Sequence, residues 1–288
     1  MNQRGNEIPN QYFVYQAYGK AEILQQTLLS IISLLAQTSK VSTFRVLVYT
    51  DQIQFFRNVL GTNSCVDYEL LTPEKILNWK GQIQFVHRLK IEMLLDVLSG
   101  YKGKFIYLDG DTYFLSNPME LFLRINDSDT LMHLPEGQID VMKDPLSQKL
   151  KKFLRREQFQ IAGQKRSIST STIMWNAGVI GFSSVHVDLF QEILNLTDQT
   201  YGRYQKHVME QLSVSVVLQL KTRVHRTDDL IFHYWNQKDD YQNLILQFLS
   251  GGEKADQLIE KYGQIIFPPP PKPKLSFLEK IKLWLDSK

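Results

Sequence analysis

Asp109 and Asp111 stand one residue apart at the end of an apolar run, in the stretch FIYLDGDTYFLSNP (105–118). Two carboxylates held this close repel each other, and burying them without a counter-charge is costly or moves a pKa upward. A divalent cation removes the conflict, because it takes oxygen ligands and can complete its shell with phosphate oxygens. Gly110 between them lets the backbone turn tightly and lets a ligand approach. Asp-Gly-Asp after a buried strand is thus, in outline, a metal-diphosphate site. Asp-x-Asp alone is common by chance and loop carboxylates are usually solvated, so a second, distant element must support it.

The elements that must position the pair alternate along the chain. YFVYQAY (12–18) reads as a strand. Residues 22 to 37 form a helical pattern with Leu24, Leu28, Ile31, Ile32 and Leu35 on one stripe. FRVLVYTD (44–51) is a second strand closing on Asp51, and VDYELL (66–71) a third. Residues 83 to 99 read as a helix stopping at Gly100, and KFIYL (104–108) is the strand that delivers the aspartates. Strands and helices in alternation, with near-continuous apolar strands, imply an α/β fold with a largely parallel sheet. In such sheets ligands bind beyond the carboxyl ends of the strands, where Asp51, Asp109 and Asp111 all sit. Further on, TLMHLPE (130–136) reads as a strand, and IMWNAGVIGF (173–182) is apolar around a small-residue turn. Helical patterns follow at 185–197 and 206–220, and LIFHYW (230–235) is a short aromatic strand.

Composition sets the outer bounds. With 288 residues, 43% hydrophobic and 22% charged, the chain has ample material for a core. A net charge of +3 is too small a bias to indicate a nucleic-acid partner. One cysteine, Cys65, excludes an intramolecular disulfide and fits a reducing compartment. The N-terminal MNQRGNEIPNQ lacks the apolar core of a signal peptide, and the longest apolar stretches are interrupted. The expectation is a cytoplasmic chain without a membrane-spanning segment.

YLDGDTYFLSNPMELF resembles the metal-site segment of GT-A glycosyltransferases, especially the family 8 type that includes glycogenin and bacterial lipopolysaccharide galactosyltransferases. Three further segments resemble that family in order and spacing: WNAGVIGF, MEQLSVSVV with Glu210 where the family has Asp, and IFHYWNQK. So does the N-terminal VYQAYGKAEILQQTLLSIISLL, and the likeness spans roughly 12 to 240. It implies a Rossmann-like nucleotide-diphospho-sugar transferase fold, a mixed central sheet flanked by helices, over residues 1–266. It implies Mn²⁺ or Mg²⁺ on Asp109, Asp111 and His233; an imidazole beside two carboxylates suits manganese better. Tyr15, Ala17 and Asp51 would line the nucleotide pocket, with Gly110 in the metal loop. Arg88 or Lys90 would approach the diphosphate or donor sugar. Asn176, Ala177 and Gly178 would lie under that sugar, and Glu210 and Gln211 would face its reacting carbon, the catalytic positions. The partners the resemblance implies are a nucleotide-diphospho-sugar, UDP-linked in this family, and a glycan or lipid-linked acceptor, with retention at the anomeric carbon. The chain departs after His233, where the family's glycine and proline are missing, and this argues against a phosphate role for Lys238.

Plainer readings compete at several positions. Asn176 and Gly178 favour turns in any protein, and Glu210 complements a helix dipole. Arg88 and Lys90 suit a solvated helix face. Tyr234 and Trp235 read as packing, and the basic segment 145–166 as a solvated helix ahead of an acceptor flap or an anion-binding surface. PPPPKPK (268–274) is a stiff linker. Beyond it Phe277, Leu278, Ile281, Trp284 and Leu285 share one helical face, so 267–288 reads as a linker and basic amphipathic helix able to lie on an inner membrane leaflet through 275–288. A haloacid-dehalogenase-type phosphatase would also set Asp-x-Asp after a strand, with Asp228-Asp229 or Asp239-Asp240 as its later acidic pair. A non-catalytic nucleotide-binding relative is the third alternative.

Overall fold

The computed structural model describes residues 10–38, 44–61 and 65–264. The linker and amphipathic helix expected over 267–288 lie outside the described residues. The chain opens with β1 (Gln11–Ala17), α1 (Ala21–Gln37), β2 (Arg45–Thr50), α2 (Ile53–Leu60), β3 (Val66–Leu70) and α3 (Pro73–Trp79). It continues through α4 (Arg88–Gly100), β4 (Lys104–Leu108), β5 (Thr112–Phe114), β6 (Asp129–Met132) and β7 (Pro135–Gln138). Next come α5 (Pro145–Leu154), β8 (Phe159–Ile161), β9 (Gln164–Arg166), β10 (Ile173–Trp175) and β11 (Val179–Ser183). It closes with α6 (Val187–Arg203), α7 (Met209–Lys221), β12 (Arg223–Arg226), β13 (Ile231–His233), α8 (Lys238–Leu249) and α9 (Ala255–Gln264).

Seven strands form one sheet in the order β12-β6-β11-β4-β1-β2-β3. The pairs β4-β1, β1-β2, β2-β3 and β12-β6 are parallel, while β11 runs antiparallel to both β4 and β6. The sheet is therefore mixed, as the family resemblance implies, and largely parallel, as strand–helix alternation suggests, with β11 alone reversed. Both faces are buried, as continuous apolar strands require. Side chains alternate between the faces with period two. Tyr12, Val14, Tyr49, Phe105 and Tyr107 pack with residues of α4, α6 and α7. Phe13, Tyr15, Ala17, Val48 and Ile106 pack beneath α1. Helix α1 is in turn covered by α8 and α9, so its burial extends well beyond the single stripe read from the sequence. Its buried Ser30 is satisfied by Tyr15 Oη at 3.1 Å and Thr112 Oγ1 at 3.0 Å.

Two sequence expectations change. The helix read from 83 begins only at Arg88, because Gly81 and Gln84 take positive φ and fold the preceding residues into turns. It also runs through Gly100 rather than stopping before it. The strand read over 130–136 is two strands: β6 lies in the main sheet, whereas β7 pairs with β10 in a separate ribbon. At the crossover His133 N donates to Asn176 O at 3.1 Å and Asn176 N to Leu134 O at 2.9 Å. Both chains leave the sheet together there, just beyond the end of β4.

Phe13 is fully buried with Phe44, Phe114 and Phe122 edge-on around it at centroid distances of 5.3, 5.7 and 5.1 Å. Phe13→Ala is expected to cost about 3–5 kcal/mol, read as a lower urea midpoint at unchanged m; a smaller loss would mean the aromatic cluster repacks.

Candidate metal and diphosphate site

Asp109 follows β4 directly, and its N–H donates to Gly178 O at 2.8 Å, which locks it to the turn before β11. Asp111 opens the short ribbon in which β5 pairs with β13 and Thr112 stands opposite His233. That register carries the imidazole to the aspartates across more than a hundred residues. One ligand atom from each of Asp109, Asp111 and His233 lies within 4.8 Å of the other two.

The imidazole is oriented by Asn176. His233 Nδ1–H donates to Asn176 Oδ1 at 2.8 Å, and the same oxygen accepts from Gly178 N–H at 3.0 Å. This tautomer leaves Nε2 with a lone pair, facing Asp111 Oδ1 at 3.3 Å and Asp109 Oδ2 at 4.0 Å. Nε2 has no hydrogen-bond partner although it is buried. Two carboxylates and an imidazole lone pair converging on one point fit a divalent cation bound by oxygen and nitrogen. The asparagine behind the histidine is what such sites need to fix the ring. Gly178 makes room for it: an added Cβ would lie 2.2 Å from the His233 ring.

Two lysines flank the group. Lys90 is 7% exposed; its Nζ sits 3.3 Å from Asp109 Oδ1, 3.4 Å from Glu210 Oε1 and 3.1 Å from Ala177 O. Burial alone would lower the Lys90 pKa, but Asp109 and Glu210 outweigh it and hold the ammonium charged. Glu210 also shifts up, but toward its neutral form: burial raises its carboxyl, and Lys90, shared with Asp109, compensates only in part. Lys238 Nζ stands 2.8 Å from Asp111 Oδ2. Burial pushes the Asp111 carboxyl up, yet His233 when its ring is protonated, and Lys238 beside it, bring it below the usual carboxylate range. The Tyr107 hydroxyl donates to Asp109 Oδ1.

These groups border a cavity of about 790 Å³, within the size range of ligand sites. Asp109, Asp111, His233, Lys90, Asn176 and Ala177 line it, as do Gly178, Glu210 and Gln211. Five other expected residues are placed elsewhere. Tyr15 and Ala17 are fully buried on the α1 face, with the Tyr15 hydroxyl on Ser30, because strand parity turns them away from the α4 side. Asp51 accepts from Gly19 N–H at 3.1 Å and ties down the loop between β1 and α1. Gly110 does permit a close approach, but by α1: an added Cβ would lie 2.4 Å from Thr27 Oγ1. Arg88 is engaged by Asp198 at 2.7 Å, Glu92 at 2.6 Å and Trp79 O at 2.8 Å. Two residues on from it, about 200° around the helix, Lys90 points into the cavity instead.

Sequence reasoning missed Glu136, and it did not foresee that Lys238 meets Asp111. Glu136 Oε1 accepts from Asn176 Nδ2 at 3.1 Å and Oε2 from Gln211 Nε2 at 2.7 Å, so it bridges the histidine's partner to the helix α7 glutamine. Its signal was available: it is a carboxylate just beyond an apolar strand, the feature that picked out Asp51 and Asp109. Lys238 reaches Asp111 from the first turn of α8 without the missing glycine and proline. Trp235, 53% exposed, stands at the cavity edge, whereas Tyr234 is buried in a stack on Tyr241.

No family model matches the sequence, and no curated protein matches it. Among solved structures, the galactosyltransferase LgtC, in complex with donor and acceptor sugar analogues, aligns with a TM-score of 0.51 at 12% identity. The alignment covers 90% of this chain and 97% of that one. A likeness at this identity is one of fold, and the chain has the GT-A fold.

Asn176→Ala, which frees the tautomer, and Gly178→Ala, which displaces the ring, are each expected to weaken Mn²⁺ binding by about 10–100-fold. Calorimetric titration of the folded variants reads this; unchanged affinity in both would remove His233 from the ligand set.

Proposed function

We propose that this chain is a metal-dependent glycosyltransferase that moves a sugar from a nucleotide diphosphate, UDP in the first instance, to a hydroxyl of a glycan or lipid-linked acceptor, with retention. The observation that carries the reading is the convergence of Asp109, Asp111 and the His233 Nε2 lone pair, with Lys90 and Lys238 on either side. A site with three anionic or lone-pair ligands and two adjacent ammonium groups suits a cation bound together with a polyanion. The shared fold with a galactosyltransferase supports the same reading.

In this reading Asp109, Asp111 and His233 hold Mn²⁺ or Mg²⁺, which supplies Lewis-acid charge to the diphosphate leaving group. Lys238, paired with Asp111 and half-exposed, is free to turn to the phosphates. Lys90 holds its positive charge beside Asp109, where the leaving group gains negative charge. Glu210 lies on the far side of Lys90 and offers its carboxylate to the positive charge that develops at the anomeric carbon. The Gln211 amide is held by Glu136, so its carbonyl oxygen is left to face the same centre. Among the described residues no helix is long and apolar enough to cross a membrane. We place the enzyme in the cytoplasm, with residues 275–288 bringing it to the inner leaflet when the acceptor is lipid-linked.

The phosphatase alternative loses its later acidic pair. Asp228 is paired with Arg226 and Asp229 with Arg124, while Asp239 and Asp240 are exposed on the first turn of α8, and none of the four lines the cavity.

Purified protein with Mn²⁺ and a panel of UDP-sugars is expected to release UDP. EDTA or Asp111→Ala should abolish release, and Lys90→Gln should lower kcat by about a hundredfold. Phosphate release without a sugar donor, or turnover that survives both EDTA and Asp111→Ala, would overturn the reading.

A further inference from the structure

Helix α5 has two working faces. Leu146, Ser147 and Leu150 line the large cavity. Lys149, Lys152 and Phe153, on the adjoining flank, line a separate cleft of about 380 Å³ with Arg156, Glu157 and Tyr204. A second depression of about 370 Å³ continues from it through Arg156 and Glu157 to Arg155, Lys165 and Arg203. The combined cleft carries six cationic side chains and a single carboxylate, Glu157.

Glu157 is already taken, because Arg203 pairs with it at 3.0 Å. Lys149, Lys152, Arg155, Arg156 and Lys165 are in no ion pair among the described residues and are all exposed. Lys149, Lys152 and Arg156 follow at intervals of three and four, so the helix and its end present them as one row. Like charges so arranged repel, and an anion relieves the repulsion. The floor is aromatic: Phe153 and Tyr204 stack at 4.9 Å between centroids. Such rings offer a flat apolar surface to the C–H face of a sugar, while guanidinium groups take phosphate or carboxylate oxygens in pairs.

We infer that this cleft binds the phosphate or carboxylate substituents of an anionic glycan acceptor, leaving its reacting hydroxyl to enter the cavity on the adjacent flank of α5. The inference rests on the glycosyltransferase reading and names the acceptor's chemical class.

The full chain would be applied to an array of oligosaccharides that pairs phosphorylated and uronic-acid members with their neutral parents. Retention on the anionic members is expected to exceed that on the parents at least fivefold and to fall as salt rises. It should drop to the neutral level in Lys152→Gln/Arg156→Gln, and also in Arg155→Gln/Lys165→Gln, the second pair serving if the first is unstable. Metal-dependent UDP release should be unchanged in both variants, since neither touches the cavity. Equal retention on charged and neutral members, or retention independent of both pairs, would overturn the inference. So would loss of binding only to phosphatidylglycerol vesicles, which would make the patch a membrane contact. Absence of UDP release in the wild-type chain is a separate failure, that of the transferase reading, and array binding does not depend on it.

Discussion

Three electron-rich groups are forced together at the end of β4, and nothing within the triad neutralises them. Asp109 and Asp111 are adjacent by sequence, and His233 is brought in by the β5-β13 register with its Nε2 lone pair pointing at both. The surrounding structure answers this concentration of negative potential. Lys90 is buried and kept charged by it, Lys238 reaches in from α8, and the Tyr107 hydroxyl caps one carboxylate oxygen. A fold that spends two lysines beside an aspartate pair is stabilising a site, since apolar groups of similar volume would pack at lower cost.

The backbone also breaks beside this group. β6 and β11 lie side by side in the sheet, yet neither extends past the aspartates; their neighbours β7 and β10 form a ribbon of their own. The gap holds Asn176, Ala177 and Gly178, whose backbone closes on Asp109 and whose side-chain space is filled by the His233 ring. Glu136 then joins Asn176 to Gln211, so the histidine's tautomer and the glutamine's direction are set by one carboxylate. The ring's orientation and helix α7 are thereby connected.

Helix α5 extends this organisation to the surface. Its cavity face and its cationic face lie on adjacent flanks of one short helix, capped by the Asp144 side chain on Ser147 N–H at 2.9 Å. A ligand held on one face is therefore registered to the other by a single rigid element.

The sequence by itself determined the α/β alternation, the strand that ends on Asp109, and the order of the histidine and Asn-Ala-Gly segments, because these follow from local hydrophobic periodicity and from short motifs. It did not determine which face a strand residue joins, since period-two alternation leaves the sign open: Tyr15 and Ala17 turned toward α1 rather than the cavity. Nor could it separate Arg88 from Lys90, which differ by two residues and hence by opposite sides of a helix. Lys238 and Glu136 reach the site by nonlocal routes, from α8 and from a strand that leaves the sheet; a strand-end carboxylate flags Glu136 as a candidate, but no local pattern encodes which residue either one meets. Gly110 was legible as a close approach but not as to whom, because only the packed helix α1 decides what stands 2.4 Å from a missing Cβ.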